Sequence, residues 1–333
     1  MRSELSKFVQ SLPKTETHLH LEGALPLELL RRVRPEFRDR TPDSWAPHFK
    51  FRDFAHFEAE LLDMAFSWFT SPERYHEAAK LIFAQHLAQN VRYVETSFAS
   101  GGVEFLGFDG RAVAQAIRAA VPRGLEVRIF FGIHHRGRPP KMESVLADAL
   151  TWPELDGIDL HGPEDHAVEP WTCEYWAAAR KDGKYTKAHA GEFMGADFVR
   201  YVMDELNPHR IQHGVRAAED ATLLAQLARA GVGLDVCPIS NDKLMPGITL
   251  ATHPIRTLFD AGVKVTVSTD DPISFGNTLA DDYLALAEHR GFTRRELAQL
   301  ARNGFELALL TDAQKAPHLA ELDAIIAVQA SAS

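Results

Sequence analysis

The chain has 333 residues, 45% hydrophobic and 25% charged, an ordinary globular composition with enough length to bury a large core. Lys and Arg total 36 against 46 Asp and Glu, a net charge of −10, and no stretch gathers a basic run, which argues against a nucleic-acid or anionic-membrane surface. Cys173 and Cys237 lack metal spacing, and no apolar run reaches the roughly 18 residues of a membrane span, so the expectation is a soluble, unprocessed, cytoplasmic protein without disulfides.

In chain order, eight short apolar or β-branched runs alternate with longer amphipathic stretches. They cover 15–21, 91–98, 126–133, 157–161, 185–190, 210–215, 232–237 and 263–269. Eight strands separated by helix-length segments predict an α/β fold, a closed (β/α)8 TIM barrel, rather than a doubly wound sheet, and no GxGxxG follows the first strand. Residues 28–90 are too long for one crossover. Their run FRDFAHFEAELLDMAFSWF has helical spacing and predicts extra helices inserted after strand one, over the catalytic face or as plain helical core. Further helices are expected at 218–230, 254–261 and 294–311, the first two closed by Gly231 and Gly262. The terminal QASAS is expected to fray. With no repeat or linker, residues 1–333 are expected to form a single domain.

Chemistry enters at His18-Leu19-His20. Alternation along a strand aims both imidazoles to one side, which prepares two metal ligands. His189, His213, Asp270 and Asp271 fall at the C-terminal ends of later predicted strands, where this architecture gathers its active-site groups. Imidazoles with a carboxylate suit Zn²⁺, and a metal of this kind lowers the pKa of water to about 7. Strand four ends in DLHGPE without a lysine to bridge two metals, so one Zn²⁺ per chain is expected. Glu192, three residues after His189, is placed for general acid catalysis; its plain structural alternative is a helix cap. Adjacent Asp270 and Asp271 can both face a site only if the chain bends there, and Pro272 makes a bend plausible.

TETHLHLEGAL, DLHGPE, KAHAGE, RIQHG, VCPISN and STDDP, in this order between residues 13 and 280, resemble the successive motifs of the adenosine deaminase family. The resemblance implies hydrolytic deamination of a 6-aminopurine, adenosine to inosine plus ammonia. It implies His18, His20, His189 and Asp270 as zinc ligands and Glu192 as proton donor to purine N1. It further implies His213 to orient the attacking hydroxide and accept its proton, Asp271 to bond N7, and the Gly162 N–H to contact N3.

Three departures bear on the substrate. Glu22 stands where adenosine-preferring relatives carry Asp and adenine-specific relatives Glu; Gln212 precedes His213 in place of Gly; Pro163 follows Gly162 in place of an acidic residue. His134, His135, Arg136 and His161 are candidates either for substrate contact or for packing, and Arg136 and Arg138 for solvated loop charges. Rival readings are an adenine deaminase, an aminodeoxyfutalosine deaminase, a metal-dependent amidase or lactonase, and a non-catalytic purine-binding relative. The expected partner is a small-molecule aminopurine, with neither nucleic acid nor membrane involved.

Overall fold

The computed structural model describes residues 2–135, 138–166 and 168–331. After α1 (Arg2–Ser11) come β1 (Lys14–His20), α2 (Leu27–Val33), α3 (Phe54–Trp68), α4 (Pro72–Ala88), β2 (Val91–Ala99), α5 (Ser100–Leu106), α6 (Gly110–Ala119) and β3 (Glu126–His134). Then follow α7 (Pro140–Ala149), β4 (Gly157–His161), α8 (Pro170–Lys181), β5 (Tyr185–Ala190), α9 (Ala196–Tyr201), β6 (Arg210–His213), α10 (Ala221–Ala230) and β7 (Gly233–Val236). The chain ends with α11 (Pro238–Leu244), α12 (Ile255–Asp260), β8 (Val265–Val267), α13 (Pro272–Phe275), α14 (Leu279–Arg290), α15 (Arg294–Leu307) and α16 (Asp312–Ser331).

The eight strands pair in sequence order, every ladder parallel, as a (β/α)8 TIM barrel requires. The seam between β8 and β1 closes just past the short β8. There the Asp270 N–H donates to the His18 carbonyl (3.0 Å), and the Asp270 carbonyl accepts from the His20 N–H (3.1 Å). The two segments that carry His18, His20 and Asp270 are therefore fastened to one another at the point where those side chains project.

The barrel floor is polar. Lys187 on β5 reaches across to the Thr17 carbonyl on β1 (2.5 Å) and lies 3.2 Å from Glu95, while Arg210 contacts Glu95 and donates to Asp235 (2.9 Å). All four charged side chains are essentially buried, and the opposed pairs offset the desolvation each charge would otherwise suffer. Gln212 belongs to this layer, its amide between Asp235 Oδ2 (2.7 Å) and Lys187 Nζ (2.8 Å). Its departure from the family pattern thus alters the floor and not the pocket wall.

Element ends follow local chemistry. Asp220 accepts from the N–H groups of Thr222 and Leu223, so α10 starts at Ala221 rather than 218, with 215–219 forming a 3₁₀ stretch. Thr293 and Glu296 make a capping box that opens α15, which stops at Leu307, short of 311. Residues 329–331 of the terminal QASAS continue α16 instead of fraying. The inserted segment does form helices: Asp53 caps α3 through the His56 N–H (2.8 Å). Phe57 of α3 stacks on Phe275 (centroids 5.5 Å, 9°), and Phe54 meets Phe193 beside Glu192 (5.5 Å). These contacts hold α3 against the loops that follow β5 and β8.

Candidate active site

At the C-terminal mouth of the strands the imidazoles of His18 and His189 meet Nε2 to Nε2 at 3.0 Å. His18 Nδ1 faces the Asp235 carbonyl (3.2 Å) and His189 Nδ1 the Leu160 carbonyl (2.9 Å). A carbonyl only accepts, so each Nδ1 carries the proton, and the two Nε2 lone pairs point at one another. Asp270 Oδ1 adds a third acceptor, 3.3 Å from the Nε2 of both His18 and His20. Acceptors converging on acceptors in a buried space repel unless a cation lies among them, and a soft-imidazole, hard-carboxylate set suits a transition metal. Donor atoms of His18, His189, His213 and Asp270 all lie within 4.8 Å of one another; His20, Asp270 and Asp271 form an overlapping second group.

Outer contacts orient these side chains. Ser240 donates to Asp270 Oδ2 (2.6 Å), Ser97 Oγ lies 3.1 Å from His20 Nδ1, and Asp159 Oδ1 lies 3.5 Å from His189 Nδ1. His213 (φ 59°) and Asp270 (φ 69°) both adopt the left-handed backbone region, which costs a non-glycine residue about 1–2 kcal/mol. Such conformations cluster where a surrounding structure enforces a functional geometry. The bend that lets Asp270 and Asp271 face one cavity is at Asp270 itself, one residue before the junction with Pro272 that the sequence suggested.

Glu192 and Asp271 are buried carboxyls, and Oε1 of the first and Oδ1 of the second have no hydrogen-bond partner among the described residues. Burial, reinforced by Asp270, pushes both well above the usual carboxylate range. Each group, in its protonated form, can donate a hydrogen bond into the cavity. Glu192 Oε2 lies 3.5 Å from His213 Nε2. Asp271 fits only because residue 23 is glycine: a Cβ there would lie 1.7 Å from Asp271 Oδ1.

The cavity over these groups measures about 340 Å³ and is lined by His20, Glu22, Gly162, His189, Glu192, His213, Asp270 and Asp271. Its outer wall comes from Phe57, Leu61, Leu62, Ala65 and Phe66 of α3, with Phe105 of α5. Glu22 sits on the side wall, where its Oε1 accepts from the Tyr75 hydroxyl (2.7 Å) and the Ala99 N–H (3.0 Å). Gly162 has φ 96°, a left-handed value open to glycine, and a Cβ on it would meet His134 Nδ1 at 3.0 Å. His134 and His161 line the cavity, with His161 stacked between His134 (4.8 Å) and His20 (5.2 Å). His135 is turned away against Phe198, and neither of its ring nitrogens has a hydrogen-bond partner among the described residues, so backbone satisfaction does not explain it. Arg136 lies outside the described residues, and Arg138 pairs with Glu143 at 3.2 Å.

One contributor was not singled out from sequence. Glu164, the last residue of DLHGPE, is buried and accepts from the N–H groups of Glu192 (3.0 Å), Phe193 (3.0 Å) and Met194 (2.7 Å). It clamps the loop that carries the candidate acid. The motif string contained it, but three backbone donors converging from the loop after β5 leave no mark in a sequence.

An eight-stranded parallel barrel with an imidazole–carboxylate cluster at its C-terminal mouth is the arrangement of metal-dependent hydrolases. The family model described as adenosine deaminase matches residues 13–325, and the chain belongs to that family. It is a hydrolase acting on C–N bonds of cyclic amidines, a deaminase. It is 32% identical over 331 residues to an adenine deaminase of Sphingopyxis alaskensis, covering 96% of this chain and 97% of that one. An aminodeoxyfutalosine deaminase of Streptomyces avermitilis is 32% identical over 333 residues, with 96% and 93% covered. Among solved structures, an amidohydrolase from Burkholderia ambifaria with bound Zn superposes with a TM-score of 0.81 at 25% identity, covering 98% of this chain and 94% of that one. The adenine deaminase of Arthrobacter aurescens shares the fold with a TM-score of 0.83 at 24% identity, with 94% and 98% covered.

Proposed function

We propose that this chain, read over 1–333 as one catalytic unit, is a zinc-dependent hydrolase that converts a 6-aminopurine nucleoside, adenosine in the simplest case, to its 6-oxo product with release of ammonia. The observation that carries the reading is the pair of buried carboxyls, Glu192 and Asp271, each with an oxygen unpaired among the described residues, that face one cavity beside converging metal-type acceptors. One Zn²⁺ would be held by His18, His20, His189 and Asp270, and its relative with bound Zn supports that choice of ion. Zinc bound there supplies hydroxide at neutral pH by lowering the pKa of water.

The rest is done by side chains. Glu192 donates its carboxyl proton to purine N1, which withdraws electron density from C6 and opens it to addition. N7 is an acceptor, and Asp271, whose pKa burial and Asp270 push upward, suits it as a donor in its protonated form. The Gly162 N–H takes N3, and His213 holds the attacking oxygen. Addition gives a tetrahedral C6 bearing OH and NH2; transfer of the hydroxyl proton to the amino group releases ammonia and leaves the 6-oxo purine, with N1 keeping the proton that Glu192 supplied.

Room for a substituent beyond the base supports the nucleoside: the cavity runs past Glu22 along α3 to Leu62 and Phe105. A free adenine substrate is the second reading, favoured by Glu22 and by the adenine deaminase name of its relatives. An aminodeoxyfutalosine substrate is the third, on the name of the Streptomyces relative. Steady-state ammonia release from adenosine, adenine and aminodeoxyfutalosine tests all three; a kcat/KM for adenine above that for both nucleosides overturns the nucleoside assignment.

A further inference from the structure

His213 is the end of a chain of buried hydrogen bonds whose direction is set by the backbone. The Ile255 N–H can only donate, and it points at His253 Nδ1 (3.1 Å), so that nitrogen accepts and the ring proton sits on Nε2. His253 Nε2 lies 3.1 Å from Asn241 Oδ1 and donates to it. This orients the amide and turns Asn241 Nδ2 toward His213 Nδ1, also at 3.1 Å. An amide nitrogen only donates, so His213 Nδ1 accepts; a proton on that nitrogen would face the amide N–H. The ring therefore carries its proton on Nε2, the atom that faces Glu192 Oε2 (3.5 Å) and Asp270 Oδ2 (3.9 Å) across the cavity. Asn241 and His253 are fully buried, so bulk solvent does not compete for these hydrogen bonds.

We propose that Asn241 and His253 are positioning residues that lock His213 as an Nε2–H donor into the active site. Two consequences follow. His213 has no Nε2 lone pair to offer a metal, although its donor atom falls within the cluster, so His20 completes the ligand set in its place. His213 also cannot take a proton on Nε2, which departs from the proton-accepting role that the family resemblance implies; it holds the nucleophile by donating to it.

The test is the tautomer itself. In metal-loaded protein labelled with ¹⁵N-histidine, long-range ¹H–¹⁵N correlation distinguishes Nε2–H from Nδ1–H, with the His213 signals assigned by their loss in His213→Gln. The wild type should show Nε2–H. Asn241→Asp offers His213 Nδ1 an acceptor and should flip the ring to Nδ1–H, lowering kcat at least about tenfold with KM within about threefold and metal content unchanged. His253→Gln, whose amide can both accept from Ile255 and donate to Asn241, should keep Nε2–H and most of kcat, whereas His253→Ala should not. An Nδ1–H wild type overturns the proposal, and so does a flipped Asn241→Asp variant at full kcat. Should Asn241→Asp fail to fold, the wild-type spectrum still decides. Only the kinetic arm rests on the deaminase reading: if that reading fails, no aminopurine is turned over while the tautomer is unaffected.

Discussion

Gly23→Ala tests the role of Asp271 without touching it. A Cβ at residue 23 would lie 1.7 Å from Asp271 Oδ1, 2.5 Å from Cγ and 2.7 Å from Cβ, all closer than the 3.0 Å that real Cβ contacts respect. Residue 23 is pinned through its own carbonyl by the Ile273 N–H (2.8 Å), so it is the carboxyl that must give, by more than an ångström. A displacement of about 1 Å at a substrate-positioning group costs on the order of 10²-fold in rate. We therefore expect kcat/KM for ammonia release to fall about a hundredfold. Zinc content should hold, because Asp270 is fastened to β1 by its own N–H and carbonyl. The overpacking itself should cost about 1–3 kcal/mol, read as a lowered Tm. A folded, metal-replete Gly23→Ala enzyme within threefold of wild type would refute the placement of Asp271 on the substrate.

Glu192→Gln keeps size and burial but cannot deliver a proton, so kcat should drop at least about a hundredfold while elemental analysis finds zinc unchanged; a near-wild-type rate removes Glu192 from its role. Because burial raises the Glu192 pKa and the acid must be protonated to act, activity should persist well above the usual carboxylate range and decline as pH rises through that raised value. That basic limb should vanish from the residual profile of Glu192→Gln, and its survival there would assign it to another group. His20→Ala should bind less zinc, and full occupancy after dialysis against a chelator would strike His20 from the ligands. Glu22→Asp shortens a carboxylate held by Tyr75 and Ala99 and should change the ratio of nucleoside to free-base turnover more than kcat on the better substrate; equal effects on both would place Glu22 away from the sugar side.

Much of the barrel was legible because its signals are local. Strands β4 (Gly157–His161) and β5 (Tyr185–Ala190) coincide with the expected runs. The run expected at 263–269 shrinks to Val265–Val267, since Asp270 takes a left-handed turn that hydrophobic patterning cannot register. Part of the cavity lining was also legible: His20 from strand alternation, and His189, Glu192, His213, Asp270 and Asp271 from their places at or just past the ends of predicted strands. What remained hidden depends on direction and on distant partners. Glu164 is explained only by three N–H groups on another loop, and the orientation of Asn241 only by a backbone N–H at residue 255. Gln212, a departure in sequence from the pocket pattern, proves to serve the barrel floor because its side chain points down the strand layer toward Lys187 and Asp235.

Ammonia release from adenosine, deoxyadenosine, adenine and aminodeoxyfutalosine, with zinc measured on the same preparation, tests the zinc-dependent nucleoside deaminase assignment most directly. About one zinc per chain and the highest kcat/KM on a nucleoside are expected, whereas a zinc-loaded, folded protein inert on all four would contradict the assignment.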